Sequence, residues 1–279
     1  MNESPPNDAL PTDPLPRLLG IMRALRDPLN GCAWDREQTL ASIAPHTLEE
    51  AYELAEAVAA DEPARIRDEL GDLLFQVVFM ARIAEERGWF VFDDVAGAIG
   101  EKLLRRHPHV FATPTPLSAA QQTQAWETVK EMERQAAGEQ GALGGVARAL
   151  PALTRAVKLG KRAARVQFDW PDAAGLRSKL DEELGEFEET LVQAQGAARQ
   201  HEELGDLLFV IANWARHLDL DPEAALRGAN AKFERRFAHM EQAAAAAGTA
   251  LQTLDSAAWE RLWQQAKAAE RGATAAGPR

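Results

Sequence analysis

The seven-residue stretch ELGDLLF occurs twice in this chain of 279 residues, at 69–75 and again at 203–209. The duplication extends further, because LEEAYELAE at 48–56 corresponds acid for acid to DEELGEFEE at 181–189. Three more segments match in the same order: 15–26 with 150–162, 101–106 with 231–236, and 126–134 with 263–271. A period of this length is too long for a solenoid repeat, so the sequence predicts two copies of one folding unit.

Each copy has the residue pattern of packed helices. Apolar residues recur at steps of three and four, as at Leu18, Ile21 and Leu25, while the alternation typical of strands is scarce. Proline and glycine divide each copy into about four such segments. We therefore predict an all-α fold, a tandem repeat of two helical bundles, in which the segment after each ELGDLLF forms a central helix. The glycine in each motif, Gly71 or Gly205, is expected to let a neighbouring helix approach closely.

The domain limits follow from composition. The start of the chain is rich in proline and lacks the basic and apolar regions of a signal peptide. The segment that joins the two copies contains four glycines, which is typical of a flexible linker. The predicted limits are a disordered start at 1–14, a first domain at 15–135, a linker at 136–146, a second domain at 147–272 and a disordered tail at 273–279.

Charge and apolar content exclude several classes of protein. The net charge of −12 and pI of about 5.1 argue against a general nucleic-acid binder, which usually has a basic surplus. The longest apolar run is interrupted by Arg82 and falls well short of the roughly 20 residues that a membrane span needs. A single cysteine, Cys32, suits a reducing compartment. These features predict a soluble cytoplasmic protein.

The acidic residues of the second copy have the spacing of a metal site. Glu182, Glu183 and Glu186 share neighbouring faces of one helix, and Glu203 and Asp206 lie three apart on the next. Carboxylates that converge from two helices repel one another, and a hard divalent cation such as Mg²⁺ relieves that repulsion. Histidine and cysteine are missing at these spacings, which disfavours zinc. A solvated acidic face is the alternative, but the same spacing in both copies favours a metal site.

Cationic and aromatic residues lie on either side of the acids along the chain. Lys232 and Arg236 are four apart on one helical face, and Lys179 precedes the acids by one turn. Trp263 and Lys267 are also four apart. A phosphate chain needs compensating cations, and an indole ring offers a stacking surface, although surface exposure and core packing explain these residues equally well.

These motifs resemble the MazG family of nucleoside triphosphate pyrophosphohydrolases. The pattern E-E-x-x-E followed 15 to 17 residues later by E-x-x-D is similar to that family. GCAWDREQT at 31–39, ELGDLLFQVV at 69–78 and KFERRF at 232–237 resemble its bacterial two-domain form, over roughly residues 15–270. The resemblance implies an all-α homodimer, dependence on Mg²⁺ with Mn²⁺ as a substitute, and hydrolysis of ribo- or deoxynucleoside triphosphates, ATP among them, to monophosphate and pyrophosphate.

The resemblance also implies roles for individual residues of this sequence. The implied metal ligands are Glu183, Glu186, Glu203 and Asp206, with a second candidate set at Glu50, Glu53, Glu69 and Asp72. The implied nucleotide contacts are Lys179, Glu182, Glu202, Asp206, Lys232, Arg235, Arg236, Trp263 and Lys267, with Lys102, Arg106 and Trp126 at related positions of the first copy. Glu182 and Glu183 are the expected catalytic residues; by hypothesis Glu182 accepts a proton as water attacks the α-phosphorus, with Glu183 or Glu186 as alternative acceptors.

The two copies differ at two of the implied contact positions. Lys179 corresponds to His46, and Asn230 corresponds to Gly100, so the first copy lacks one fixed cation and one amide. We therefore expect the second domain to be the main hydrolase and the first to be weaker, differently selective or structural.

Two alternatives to a broad nucleotide hydrolase remain open. One is a narrower enzyme of the same superfamily, such as a dUTPase-like or phosphoribosyl-ATP pyrophosphohydrolase. The other is a non-catalytic protein that binds nucleotide or a regulatory partner. Retention of the acids in both copies argues against the second alternative, because a binding protein has no need of two carboxylate clusters.

Overall fold

The structure of the protein is a computed structural model that describes residues 10–112 and 141–275, together with residues 118, 121–122, 125–126, 128–129 and 132–133 between them. Within these residues the regular secondary structure is helical and contains no strand, which confirms the predicted all-α fold. The chain divides into two compact units, Met1–Val129 and Lys130–Arg279. Residues 1–9 of the predicted N-terminal disorder, residues 136–140 of the predicted linker and residues 276–279 of the predicted tail lie outside the described residues.

Each unit is built from long helices and a few short ones. Over residues 10–112 the helices of the first unit are α1 Pro14–Leu25, α2 Ala33–Glu37, α3 Leu40–Ala59, α4 Pro63–Glu86, α5 Phe92–Arg106 and α6 Pro108–Phe111. Those of the second unit are α7 Ala152–Arg165, α8 Ala173–Val192, α9 Ala197–His217, α10 Pro222–Ala246 and α11 Ser256–Ala275, with a 3₁₀ turn at Leu251–Thr253. No described helix is both long enough and apolar enough to cross a membrane.

A helical hairpin is the main packing unit of each repeat. The most extensive helix contacts are those of α3 with α4 and of α8 with α9, and only a short connection separates the partners in each pair. Side chains fix where these helices begin. The Thr39 hydroxyl accepts from the Ser42 backbone N–H at 3.2 Å, and the Asp172 carboxylate accepts from the Gly175 N–H at 2.8 Å. The helices that carry the first acids of each motif, α3 and α8, therefore start at defined residues.

The first repeat has an apolar core with an ion pair at one end of it. Met22, Ile43, Val78, Phe79 and Ile83 form a buried cluster, against which Leu25 and other α1 side chains pack. Arg26 follows α1 and donates to both carboxylate oxygens of Glu86, with Nη2–Oε2 at 2.7 Å. This contact lowers the pKa of the Glu86 carboxyl. It ties the end of α1 to the end of α4.

In the second repeat a polar network occupies the position that corresponds to Phe79 in the apolar core of the first repeat. Asn213 on α9 is fully buried, donates to the Phe209 carbonyl at 3.0 Å and accepts from Arg216 Nε at 3.0 Å. A Cβ added to Gly160 of α7 would lie 1.8 Å from Asn213 Oδ1, so α7 can cross α9 here only because residue 160 is glycine. Within the described part of the chain, a Cβ added at Gly71 or Gly205 meets nothing within 4 Å. The expected close approach of another helix of this chain at those two glycines was therefore wrong.

Asp169 completes this network from the loop before α8. Its carboxylate accepts from Arg216 Nη1 at 3.0 Å and Nη2 at 2.5 Å, and lies 3.1 Å from His217 Nε2. The Arg216 side chain is only 9% exposed. Hydrogen bonds from Arg216, more than any other cause, lower the pKa of Asp169 to about 2. The loop is therefore fastened to the C-terminal end of α9.

Candidate metal and nucleotide site

Three carboxylates of the second repeat converge between two helices. Glu183 and Glu186 lie on α8 and Glu203 lies on α9, with one oxygen of each within 4.8 Å of the others. Glu183 is 5% exposed and Glu203 2% exposed, which is unusual for glutamates. Asp206, the fourth predicted ligand, lies outside this group of three. Its charge still reaches the group, since it contributes to raising the pKa of Glu203.

Two cations hold the buried carboxylates. Lys179 Nζ lies 2.7 Å from Glu183 Oε1 and 2.8 Å from Glu182 Oε1, and these two hydrogen bonds raise the pKa of Lys179. Arg199, one turn before Glu203 on α9, pairs with Glu203. Burial is the largest cause that raises the pKa of Glu203, and Arg199 opposes it. The cluster therefore combines repelling carboxylates with cations drawn from the same helices.

The donor atoms of this cluster fit a hard divalent cation. All three are carboxylate oxygens, without the nitrogen or sulfur ligands that zinc sites favour. Glu186 is exposed while its two partners are buried, so the cluster is open on one side. An ion held there would keep room for oxygen atoms of a ligand.

The first repeat repeats the cluster with different neighbours. Oxygens of Glu50 on α3 and of Glu69 and Asp72 on α4 lie within 4.8 Å of one another. Burial first, then the charges of Asp72 and Glu53, raise the pKa of Glu50. Glu53, the remaining predicted ligand, lies outside the group of three. Thus in both repeats three of the four predicted ligands come together.

An aromatic surface lies between α10 and α11. The ring centroids of Phe233 and Trp263 are 5.8 Å apart, and those of Phe233 and Phe237 are 5.9 Å apart. The guanidinium of Arg236 lies 5.5 Å from the Trp263 centroid. These rings line an open cavity of about 440 Å³ together with Trp259. The cavity is lined mainly by aromatic rings and has a cation beside one of them.

The other predicted contact residues occupy several positions. Arg235 and Arg236 both pair with Glu270 of α11, at 3.0 and 2.7 Å. Glu202 pairs with Arg199 at 2.7 Å. Lys232 and Asn230 are exposed on α10, and Lys267 is half-buried on α11. In the first repeat, Lys102 lines a cavity of about 520 Å³, Arg106 ends α5, and the Trp126 ring lies 5.2 Å from that of His107.

Sequence reasoning missed three kinds of residue at these sites. Arg199 was missed, although it stands four residues before Glu203 and Arg65 stands in the same place before Glu69. Phe233 and Phe237 were also missed, and their spacing of four inside KFERRF was the available signal. Gln76, which contacts Glu50, was the third, and its signal was its position four residues after Asp72 on the same helical face.

Comparison with known proteins now adds to this geometry. Residues 38–111 and 173–240 both match the MazG nucleotide pyrophosphohydrolase domain, one match in each repeat. The chain belongs to the MazG family. It is 48% identical over 258 residues to the nucleoside triphosphate pyrophosphohydrolase of Escherichia coli (strain K12), covering 91% of this chain and 97% of that protein.

Two further MazG relatives come from Thermotoga maritima. The nucleoside triphosphate pyrophosphohydrolase/pyrophosphatase MazG is 42% identical over 250 residues, covering 90% of this chain and 94% of that protein. The crystal structure of a mazG-related protein aligns with 41% of this chain and 97% of its own, at 26% identity and a TM-score of 0.36. Family membership and the two matched regions confirm the predicted MazG resemblance, the tandem repeat, and a hydrolase acting on phosphoric anhydride bonds.

Proposed function

We propose that this MazG protein hydrolyses ribo- and deoxynucleoside triphosphates to monophosphate and pyrophosphate, at a Mg²⁺-dependent site in the second repeat. The observation that carries the proposal is the convergence of Glu183, Glu186 and Glu203. The two buried carboxylates, Glu183 and Glu203, form ion pairs with Lys179 and Arg199. The relatives from E. coli and T. maritima are named nucleoside triphosphate pyrophosphohydrolases, which supports the same reaction here.

The carboxylates of the second repeat hold the metal in this proposal. Glu183, Glu186 and Glu203 would bind Mg²⁺, or Mn²⁺ in its place, and Asp206 would complete the set from the next turn of α9. A bound divalent cation supplies charge neutralisation for the triphosphate and orients it. Burial of Glu183 and Glu203 fixes the positions of their oxygens, which favours one geometry of the bound phosphates.

Glu182 is the proposed proton acceptor for a water that attacks the α-phosphorus. Its side chain is 56% exposed, so water reaches it, and its contact with Lys179 at 2.8 Å holds it beside Glu183. Glu183 is the second candidate for this role. Attack at the α-phosphorus makes pyrophosphate the leaving group, and Lys232 and Arg236 would stabilise the charge that develops on it.

The aromatic cavity is the proposed site of the nucleobase. Trp263 and Phe233 offer ring faces for stacking, and Arg235, Arg236 and Lys267 supply cations on the same two helices. Stacking is tolerant of base identity, because every base has an aromatic face. This tolerance supports a broad substrate range rather than a dUTPase-like one.

Pyrophosphate release across all ribo- and deoxynucleoside triphosphates, with and without Mg²⁺, tests the proposal. We expect Glu183→Ala to abolish release and Glu50→Ala to retain most of it, because His46 and Gly100 replace Lys179 and Asn230 in the first repeat. Loss of turnover in the Glu50 variant alone would refute the assignment of the main site. Hydrolysis in ¹⁸O-labelled water should label the monophosphate, and label in pyrophosphate would exclude attack at the α-phosphorus.

We also propose that the enzyme is a homodimer and acts in the cytoplasm. Leu204, Leu208 and Ile211 of α9 are each at least 40% exposed, and a second copy of the chain would cover them. Light scattering on the purified protein should give twice the mass of one chain, and Leu208→Lys should lower it. A monomer at micromolar concentration would contradict the dimer.

A further inference from the structure

Gln76 is a buried polar side chain of the first repeat that the reaction proposed for the second repeat does not use. It lies on α4 and is 6% exposed. Its amide nitrogen donates to Glu50 Oε1 over 3.4 Å, which is long for a hydrogen bond. Its amide oxygen is buried and accepts no hydrogen bond in the described part of the chain. A buried amide oxygen without a partner is costly, so hydrogen bonds within the chain do not fully satisfy the Gln76 amide in this orientation.

Gln76 lies beside the acidic cluster of the first repeat, which consists of Glu50, Glu69 and Asp72. Glu69, Asp72 and Gln76 are spaced by three and then four residues, so they share one face of α4. Glu50 reaches the same place from α3, with an oxygen within 4.8 Å of those of Glu69 and Asp72. A half-turn about the last side-chain bond exchanges the amide nitrogen and oxygen of a glutamine. Gln76 can therefore donate to Glu50 in one orientation and offer an oxygen beside it in the other.

The second repeat lacks this amide and has a cation instead. Val210 corresponds to Gln76, and Lys179, which pairs with Glu183 at 2.7 Å, corresponds to His46. His46 contacts Glu49 at 3.4 Å rather than the ligand position Glu50. Among the described residues, Glu50 has no cation within ion-pair distance.

The arginine of the first repeat is also less engaged with its cluster. Arg65 lies 3.4 Å from Glu69, but it makes a shorter contact of 2.6 Å with Glu56, outside the cluster. Its counterpart Arg199 pairs directly with the buried Glu203. The first cluster therefore carries more uncompensated negative charge than the second. An entering cation displaces fewer internal ion pairs there.

We propose that the first repeat holds a divalent cation in the absence of nucleotide, bound by Glu50, Glu69, Asp72 and the amide oxygen of Gln76. Hard cations take carboxylate and amide oxygens together, and a site with more protein ligands depends less on substrate phosphates. The second cluster, with its carboxylates already paired to Lys179 and Arg199, loads its ion together with the triphosphate. This inference rests on the proposed function in one respect only, that the carboxylate clusters of this protein bind divalent cations.

Titration of the full chain with Mn²⁺ in the absence of nucleotide, followed by the electron paramagnetic resonance signal of free Mn²⁺, tests the inference. We expect one tight site per chain. Glu50→Gln should abolish it. Gln76→Val, which introduces the residue found at Val210, should weaken it by about tenfold or more, because loss of a ligand costs no less than loss of a residue that only supports a ligand. Gln76→Glu keeps an oxygen at the same reach and should retain the tight site.

The matched control lies in the other repeat. Glu203→Gln alters the second cluster by the same chemistry and should leave the tight Mn²⁺ site unchanged. Circular dichroism and the Tm without metal show which variants are folded, and Gln76→Val is expected to fold because it replaces a poorly paired amide with an apolar side chain. Wild-type affinity in Gln76→Val would overturn the inference, and so would loss of the tight site in Glu203→Gln but not in Glu50→Gln.

Pyrophosphate release by the wild-type protein separates this inference from the proposed function. If Mg²⁺-dependent release is present but Mn²⁺ binds tightly only with nucleotide, the resident site is refuted while the proposed function stands. If the tight Mn²⁺ site is found but no nucleotide is hydrolysed, the resident site stands and the proposed function fails.

Discussion

Asp169→Asn should destabilise the second repeat by removing the charge that pairs with Arg216. The pKa of Asp169 is lowered from 3.8 to about 2, mainly by hydrogen bonds from Arg216. Because the side chain is 23% exposed, solvent screens this contact only in part. One pKa unit corresponds to about 1.4 kcal/mol, so the charged form contributes about 2 kcal/mol to the free energy of unfolding at neutral pH.

The pH dependence of this contribution has a definite sign. The folded-state pKa lies below the unfolded one, so the stabilisation is fully present above about pH 4 and is lost as the pH falls toward 2. Urea unfolding of wild type and variant at pH 7 and at pH 3 measures it. We expect the difference between the two proteins to shrink to roughly half at pH 3, as linkage requires for a shift of this size.

An exposed pair supplies the control for this experiment. Asp181 pairs with Arg177 on α8, but both side chains are more than half exposed. Asp181→Asn should cost less than about 1 kcal/mol at pH 7. Equal losses in the two variants, or a loss in Asp169→Asn that is the same at pH 3 as at pH 7, would refute the reasoning.

Three further perturbations have expected outcomes. Gly160→Ala should lower the free energy of unfolding by about 1–3 kcal/mol in urea titrations, because the new methyl group overlaps the buried, hydrogen-bonded Asn213 amide; an unchanged midpoint would mean that Asn213 moves freely. Glu86→Gln should destabilise the first repeat by about 3 kcal/mol, since it leaves the buried Arg26 without its carboxylate, whereas Glu85→Gln at the more exposed neighbouring position should cost under about 1 kcal/mol. Chelation of divalent cations should abolish pyrophosphate release and Mg²⁺ should restore it, whereas full activity in excess chelator would exclude the proposed metal dependence.

The positions of the acids were predictable because helical spacing is a local property. Residues three and four apart share a face in any helix, so E-x-x-E and E-x-x-D bring Glu183, Glu186 and Glu203 together once two helices form a hairpin. Helical spacing does not determine which of the four acids bring their oxygens within 4.8 Å of one another. Asp206 in the second repeat and Glu53 in the first lie outside the groups of three. Their role as ligands stays a prediction.

What the sequence did not reveal depends on which side chains meet across helices and which of them become buried. Gly205 looked like a contact glycine because it lies inside the repeated motif, yet the close crossing is at Gly160, where the signal is a buried partner 53 positions away. Arg199 stands on an exposed turn where a salt bridge to a neighbouring acid is usually weak. Arg199 differs from an ordinary surface arginine only because its partner, Glu203, is buried.

The contact between Gly160 and Asn213 has a consequence for how a duplicated chain avoids misassembly. At the offset of 134 that relates Phe79 to Asn213, Gly160 corresponds to Arg26, whose guanidinium lies 5.4 Å from the centroid of the Phe79 ring. If α1 docked on α9 by mistake, the Arg26 side chain would meet a buried amide where only glycine fits. If α7 docked on α4, Gly160 would leave a void beside the Phe79 ring. These differences at one helix contact thus disfavour the exchange of helices between the two repeats during folding, which is a hazard of tandem domains.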